Sequence, residues 1–253
     1  MHQRTWYQPV DDATWTRLRE RLKSGQIVGT KNDRRNQMHI ELLAITPNAE
    51  ELIERAGRTA HQSLEHQKVD STAKFVRMLI KRGHHSVIEH ASATFRVLGI
   101  SRACTHQLVR HRLCSFTQQS QRYVNEDSFK YVVPKAISDN PEAIGVFRSF
   151  ISQARWAYKQ LHYLGIKNED ARFVLPNATQ SEIVITANFR EWRHIIQSRG
   201  SAPAQWEIRE VAIAILRRLK EEAPNVFADL EIDEETRTVY RRRLRPCYRM
   251  NRN

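Results

Sequence analysis

Cysteine is scarce. The 253 residues hold three, Cys104, Cys114 and Cys247, scattered so that they make neither a disulfide framework nor a spaced zinc motif. Long apolar runs are missing as well: nothing approaches the length of a bilayer span, which argues against a helix through a membrane. The first residues, MHQRTWYQPVDDATW, lack the basic-then-apolar order of a secretory signal, so the expectation is a reducing, cytoplasmic setting. There is no internal repeat and no low-complexity tract. Acidic side chains are outnumbered, 28 against 41 Lys and Arg, for a formal net charge of +13.

What is present is enough apolar residue for a core and a lopsided choice of cation. At 40% apolar, a chain of this length builds one globular domain with room for an appendage. Of the 41 basic residues 31 are Arg, whose planar fork grips phosphates and carboxylates in pairs where Lys offers a point charge. That bias favours recognition of an anion, either a polymer such as nucleic acid or a small molecule.

Residues 1–37 are polar and charge-rich, with KNDRRN (Lys31–Asn36) as a linker, and read as an N-terminal extension; 38–236 form the folded domain and 237–253 a basic tail. HIELLAI (His39–Ile45) predicts a first strand and a helix follows from about Ala49. STAKFVRMLIKRG places Phe75, Val76, Leu79 and Ile80 on one helical face, with Ser71 as N-cap and Gly83 as the stop. ASATFRVLGI predicts a strand, after which Ser101 caps a short helix through RACTHQLVRH. The clearest helix runs between Asn140 and Gly165, with Pro141 first and Ile144, Phe147, Ile151, Ala154, Tyr158 and Leu161 on a face fit for core or subunit interface. SEIVITANF predicts a strand, REWRHIIQSRG a helix ending at Gly200, and AQWEIREVAIAILRRLKEEAP a long amphipathic helix stopped by Pro224. The class is α/β, of α+β type.

In GHHSVIEH, His84, His85, Glu89 and His90 are competent metal ligands, but a helical zinc motif needs two His four apart, and His85 and His90 are five apart. No metal is expected there. Cys104 and Cys114 lie in apolar-leaning surroundings that make inert buried thiols. RHRLCSFTQQSQRY is harder to set aside. Arg110, His111 and Arg112 fan out too widely to meet one phosphate from a regular helix, yet at a helix end they can embrace an extended anion. Ser115, Thr117, Gln118, Gln119, Ser120 and Gln121 then offer neutral donors and acceptors suited to the edge of a base or a flavin ring.

This stretch, with Arg110, His111, Arg112 and Ser120 in place, resembles the motif of the flavin-dependent thymidylate synthases. MHIELLAITPNAEELIERAGRTAHQS, RGHHSVIEHASATF, HQLVRHR, ARFVLP, TANFREWRHIIQSRG and AQWEIR are similar to further landmarks of that family, in order, over roughly residues 38–223. The resemblance implies a mixed, mainly antiparallel sheet flanked by helices. It also implies a homotetramer with shared active sites, binding FAD, dUMP and a folate. NADPH would reduce the flavin, 5,10-methylenetetrahydrofolate would donate one carbon, and dUMP would become dTMP without a cysteine nucleophile. By the same resemblance Gln107, Arg110, Ser120, Arg122 and Arg172 face dUMP, with Gln118, Gln119 and Gln121 in the same substrate-binding run. Ser86, Arg110, His111, Arg112, Gln118, Asn188, Arg190 and His194 line FAD; Arg199 lies against the uracil and His84 near flavin and folate, the two as catalytic residues. Some family members carry Glu where this chain has Gln118, and His194 alternates with Asn.

A basic nucleic-acid-binding protein is the alternative, on the strength of the charge and the tail YRRRLRPCYRMNRN. The resemblance implies small-molecule partners instead, with neither nucleic acid nor membrane.

Overall fold

The strictest period-two alternation in the chain falls on two strands, and they form the centre of the sheet. In the computed structural model, which describes residues 38–68 and 70–242, β1 (His39–Ile45), β2 (Ser92–Ser101), β3 (Ser115–Gln118) and β4 (Gln180–Asn188) stand in the order β1-β2-β4-β3. β2 and β4 run antiparallel with Thr94 opposite Thr186 and Val97 opposite Ile183. Every pairing among the described residues is antiparallel, so the mixed sheet expected above contains no parallel pair. β3 was not foreseen: SFTQ is neutral and short, and it is pairing to the free edge of β4 that makes it a strand.

An antiparallel sheet can keep one face wet, and this one does. Phe95, Val97, Ile183 and Ile185 are buried on the inner face, whereas the outer face carries the Thr94–Thr186 hydroxyl pair at 2.9 Å and the Arg96 ion pair to Glu182 at 2.8 Å. The described residues form six main helices: α1 (Ala49–Thr59), α2 (Ser71–Arg82), α3 (Arg102–Leu108), α4 (Pro141–Tyr163), α5 (Phe189–Arg199) and α6 (Trp206–Glu222). Residues of α1, α2, α5 and α6 join the inner face of the sheet in one core. Trp192 of α5 sets its ring edge-on to Phe95 at 5.2 Å and donates its indole N–H to the Ala93 carbonyl at 3.0 Å.

Local signals end these elements as the sequence leads one to expect, with one exception. Gly83 closes α2 at φ 74, Ser101 Oγ accepts from Cys104 N at 3.0 Å, and Asn140 Oδ1 caps α4 ahead of Pro141. Ser71 is not the cap of α2 but its first residue; its hydroxyl instead donates to the buried Glu54 carboxylate at 2.6 Å. The inward face of α4 packs Ile151 and Ala154 on Phe129 in a separate small cluster. Its outward face leaves Trp156 and Tyr163 65% and 86% exposed.

The folded body runs past residue 236. Thr238–Arg241, placed above in the basic tail, is strand β6, paired with β5 (Leu230–Asp233) and docked on the end of α5 through Val239 N to Gly200 O at 2.7 Å. Apolar Val239 explains the docking. It lies so close that a Cβ on Gly200 would come within 2.6 Å of it. The extension 1–37, Cys247 and the rest of the arginine-rich tail from 243 lie outside the described residues. Among those described, no helix is long and apolar enough to cross a membrane.

Candidate active site

α3 stops at Leu108, so Arg110, His111 and Arg112 occupy the turn that leads into β3 rather than a regular helix. The turn resolves the fan-out problem: His111 points inward and is buried, while Arg110 and Arg112 are exposed on either side. With Leu113, Glu191 and His194 they line an open cleft of about 550 Å³.

Through His111 the cleft connects to a chain of side-chain contacts. Arg199, the last residue of α5, donates from Nε to His111 Nε2 at 2.9 Å and from a terminal nitrogen to the Gln107 carbonyl at 3.3 Å. An arginine can only donate, so Nε2 is the acceptor and the imidazole proton sits on Nδ1, which faces Glu191 Oε1 at 3.6 Å. Burial, then the charges of Arg199 and His194, pull the His111 pKa from 6.5 to about 4. The neutral ring this requires is the one the Arg199 contact needs. His111, Glu191 and His194 lie close enough to hold a cation among them, but the lone pair of His111 is already committed to Arg199.

A pH dependence follows. The folded state resists protonation that the unfolded chain accepts, so stability is full above pH 6.5 and is lost as pH falls towards 4. Between pH 7 and pH 4, unfolding titrations should show His111→Gln losing about 3 kcal/mol less than the wild type. Equal losses would mean that the ring is not held neutral.

The N-terminal end of α5 brings in the other residues assigned to the flavin. Asn188 caps α5 by accepting from Glu191 N at 2.9 Å; Arg190 pairs with Glu89 at 2.5 Å and so anchors the turn that carries Ser86. His84 is exposed at the end of α2, with its backbone N–H on Leu79 O. His85 beside it is half-buried, its pKa lowered by burial and then by Arg193, with Nε2 left without a partner.

The remaining substrate-assigned residues lie elsewhere. Ser115 stands opposite Thr186, and Gln119 N donates to Glu182 O, so the run from Arg112 to Ser120 travels along four residues of β4, at least ~13 Å of strand. At that far end Arg122 pairs with Glu169 at 3.2 Å, and Arg172 donates to the Glu169 carbonyl at 3.0 Å rather than to an acid. Ser120 Oγ accepts from Arg122 N in a turn. Gln121 is buried; Gln119 reaches Glu126 and lines a hollow of about 460 Å³ with Phe129, Lys130 and Gln180. Gln118 spends its amide donors inside the fold, on Thr105 at 2.9 Å and Ser181 at 3.1 Å. Within the chain, then, Arg110, His111, Arg112, Gln107, His194 and Arg199 come together, and Ser120, Arg122 and Arg172 gather at the other end of the sheet.

Two residues had no role in the sequence reading. Arg102, at the start of α3, donates to the Gln119 carbonyl at 3.4 Å and so stands at the Ser120 end; burial and then the Arg172 charge lower its pKa. Glu191 could have been noticed as the third partner in an N-x-x-E capping pattern after Asn188. Such a pattern assigns it to the helix, whereas its carboxylate turns to His111. Cys104 is buried and Cys114 partly so, and burial raises the pKa of both, Cys114 to about 12.

Comparison with known proteins shows the family. Residues 41–225 match the family described as thymidylate synthase complementing protein. The flavin-dependent thymidylate synthase of Mycolicibacterium gilvum is 44% identical over 198 residues, 72% of this chain and 79% of the relative. That of Geobacter sulfurreducens is 43% identical over 200 residues, 76% and 86% respectively. Among solved structures, the UMP/dUMP methylase PolB from Streptomyces cacaoi, bound with 5-Br dUMP, superposes with a TM-score of 0.69 at 25% identity, over 77% of this chain and 94% of that one.

Proposed function

The chain belongs to the thymidylate synthase complementing protein family, and from that premise we propose that it is a flavin-dependent thymidylate synthase working in the cytoplasm. It converts dUMP to dTMP, taking one carbon from 5,10-methylenetetrahydrofolate and reducing equivalents from NADPH. The observation that carries this reading is Arg199, a guanidinium fixed by the Gln107 carbonyl and by His111, which itself lines the cleft between Arg110 and Arg112. Set against a uracil, it favours negative charge at N3 and the carbonyl oxygens as C5 becomes nucleophilic.

The donor set fits a flavin dinucleotide. Arg110 and Arg112 of the cleft, with Arg190 on α5, suit a diphosphate; the free amide hydrogens of Asn188 and the hydroxyl of Ser86 suit a ring or ribose edge, and His85, next in the chain to Ser86, has a buried Nε2 without a partner. Bound there, FAD would supply the hydride that completes the methyl group. Arg122, Arg172 and Arg102 take the dUMP phosphate, and His84 positions ligands from the turn after α2. Cys104 and Cys114, both raised by burial, stay protonated and are not used to attack the ring.

Arg199, tied to His111, and Arg122, beyond Ser120, belong to opposite ends of the run along β4, an arrangement that suits sites shared between protomers of a homotetramer. The exposed apolar side of α4 supplies a surface for such contacts. Purified protein should be yellow, and flavin absorbance should fall on adding NADPH. It should convert dUMP to dTMP when methylenetetrahydrofolate is present; a colourless protein that makes no dTMP would refute the function. Sharing has its own test. Arg199→Ala and Arg122→Ala, each nearly inactive, should recover about a quarter of the wild-type rate when co-assembled, since random pairing gives both intact arginines at one site in four. No recovery would place both arginines in the same protomer's site.

A further inference from the structure

On the side of α2 away from the core lies a second cleft, of about 590 Å³, lined by Lys74, Arg77, Lys81 and Arg82 together with Asn225 and Asp229. These cations recur at helical spacing along about 12 Å of axis. None of the four is in an ion pair among the described residues.

Solvated lysines and arginines on a helix are common, but two features set this group apart. Arg77 is held in place: its Nε donates to Asn225 Oδ1 at 2.7 Å, and Asn225 is itself fixed by Glu50, through Nδ2 at 2.6 Å and backbone N at 2.7 Å. The Glu50–Asn225–Arg77 chain engages Nε and leaves the terminal nitrogens of Arg77 without a hydrogen bond among the described residues. The acids nearby are also taken. Glu50 serves Asn225 and Val226, and Asp229 is enclosed by Arg193 and Arg241. The cleft therefore has a cationic wall without a counter-charge. It also leads to the turn that carries His84, because Arg82 is followed by Gly83 and His84.

We propose that this α2 cleft is an anion-binding arm of the active site, taking the string of anionic groups on one of the two large co-substrates. A cation row of that length suits several anionic groups spaced along a chain better than a single phosphate. Two sources have that chemistry: the 2′-phosphate and diphosphate of NADPH, and the γ-linked carboxylates of a polyglutamyl folate. The choice of these ligands rests on the function proposed above.

The test is titration calorimetry on the full-length, flavin-loaded protein, which reads binding without turnover and so stands even if no dTMP is made. The probes are γ-linked tetraglutamate and NADPH, with NADH lacking the 2′-phosphate. The variants are Arg77→Ala/Lys81→Ala and, as a control losing the same charge on α6, Arg217→Ala/Arg218→Ala. All four side chains are at least partly exposed, and circular dichroism verifies folding; Arg77→Lys, which keeps the charge and loses the anchor, gives a milder second variant. The expected result is a loss of about tenfold or more in affinity for one probe in the α2 variant alone. Loss for tetraglutamate assigns the cleft to carboxylates, and loss of the preference for NADPH over NADH assigns it to phosphate. No binding of either probe, equal losses in the control, or unchanged affinity in the α2 variants would each overturn the proposal.

Discussion

Arg199→Lys should lower dTMP formation by roughly tenfold to a thousandfold while leaving reduction of the bound flavin by NADPH intact. A plainer explanation for this arginine exists. It ends α5, where unpaired carbonyls favour any cation, and a helix-end role predicts a small loss of stability and nothing more. The contacts argue otherwise. The side chain turns away from the helix end to His111 Nε2 and the Gln107 carbonyl, which fix the plane of the guanidinium. An ammonium has no plane to fix, so Lys keeps the charge but cannot hold a flat pair of donors against a uracil edge while meeting both acceptors. Stopped-flow measurement of the two half-reactions separates these accounts. Normal oxidation of reduced flavin by methylenetetrahydrofolate and dUMP, with a normal yield of dTMP, would reduce Arg199 to a helix-end cation.

How far the sequence reveals this architecture depends on whether the signal is local. Gly83, Ser101, Asn140 with Pro141, and the alternation in β2 and β4 act through neighbours in the chain, and all are legible in sequence. β3 owes its existence to an edge offered by β4 more than sixty residues later, so no local pattern announces it. β6 was hidden by its arginines: TVYR has one inward residue, Val239, and the surrounding charge reads as a solvated tail. For the site, Arg110–Arg112 stand out as a cluster. The partition does not, because the distance between Arg199 and Arg122 comes from the register of β3 on β4. Glu191 and Arg102 gain their importance from groups eighty and seventy residues away, His111 and Arg172.

The largest expected stability effect lies behind the site. Asp229→Ala should destabilise the fold by about 3–5 kcal/mol, lowering the melting temperature by of order 10 °C for a domain of this size. Arg193 sits on α5 between Arg190 and His194, but points into the core, where it is 2% exposed and Asp229 0%. Its two terminal nitrogens donate to the two carboxylate oxygens at 2.7 and 2.8 Å, and one also reaches Val226 O at 2.5 Å. Arg241 of β6 adds a third donor at 2.8 Å. Without the carboxylate the Arg193 charge stays buried and uncompensated, which is the costly case; the pair itself contributes little over well-packed apolar groups. Arg193→Met with Asp229→Leu should therefore recover most of the loss, and Arg241→Ala, whose side chain is half exposed, should cost no more than about 1 kcal/mol. Burial alone would raise the Asp229 pKa, yet hydrogen bonds from Arg193 and then Arg241 outweigh it and hold the carboxyl below 3.8. Its contribution is thus complete above the ordinary carboxylate value and disappears as pH falls through that value and beyond. Because Arg193 shares α5 with His194 and Arg199, loosening it should also weaken flavin retention before global unfolding. Thermal melts read at both the flavin and the tryptophan signals would show this as flavin release ahead of unfolding in Asp229→Ala. Coincident transitions shifted by less than a few degrees would mean that the buried pair does not hold α5 in place.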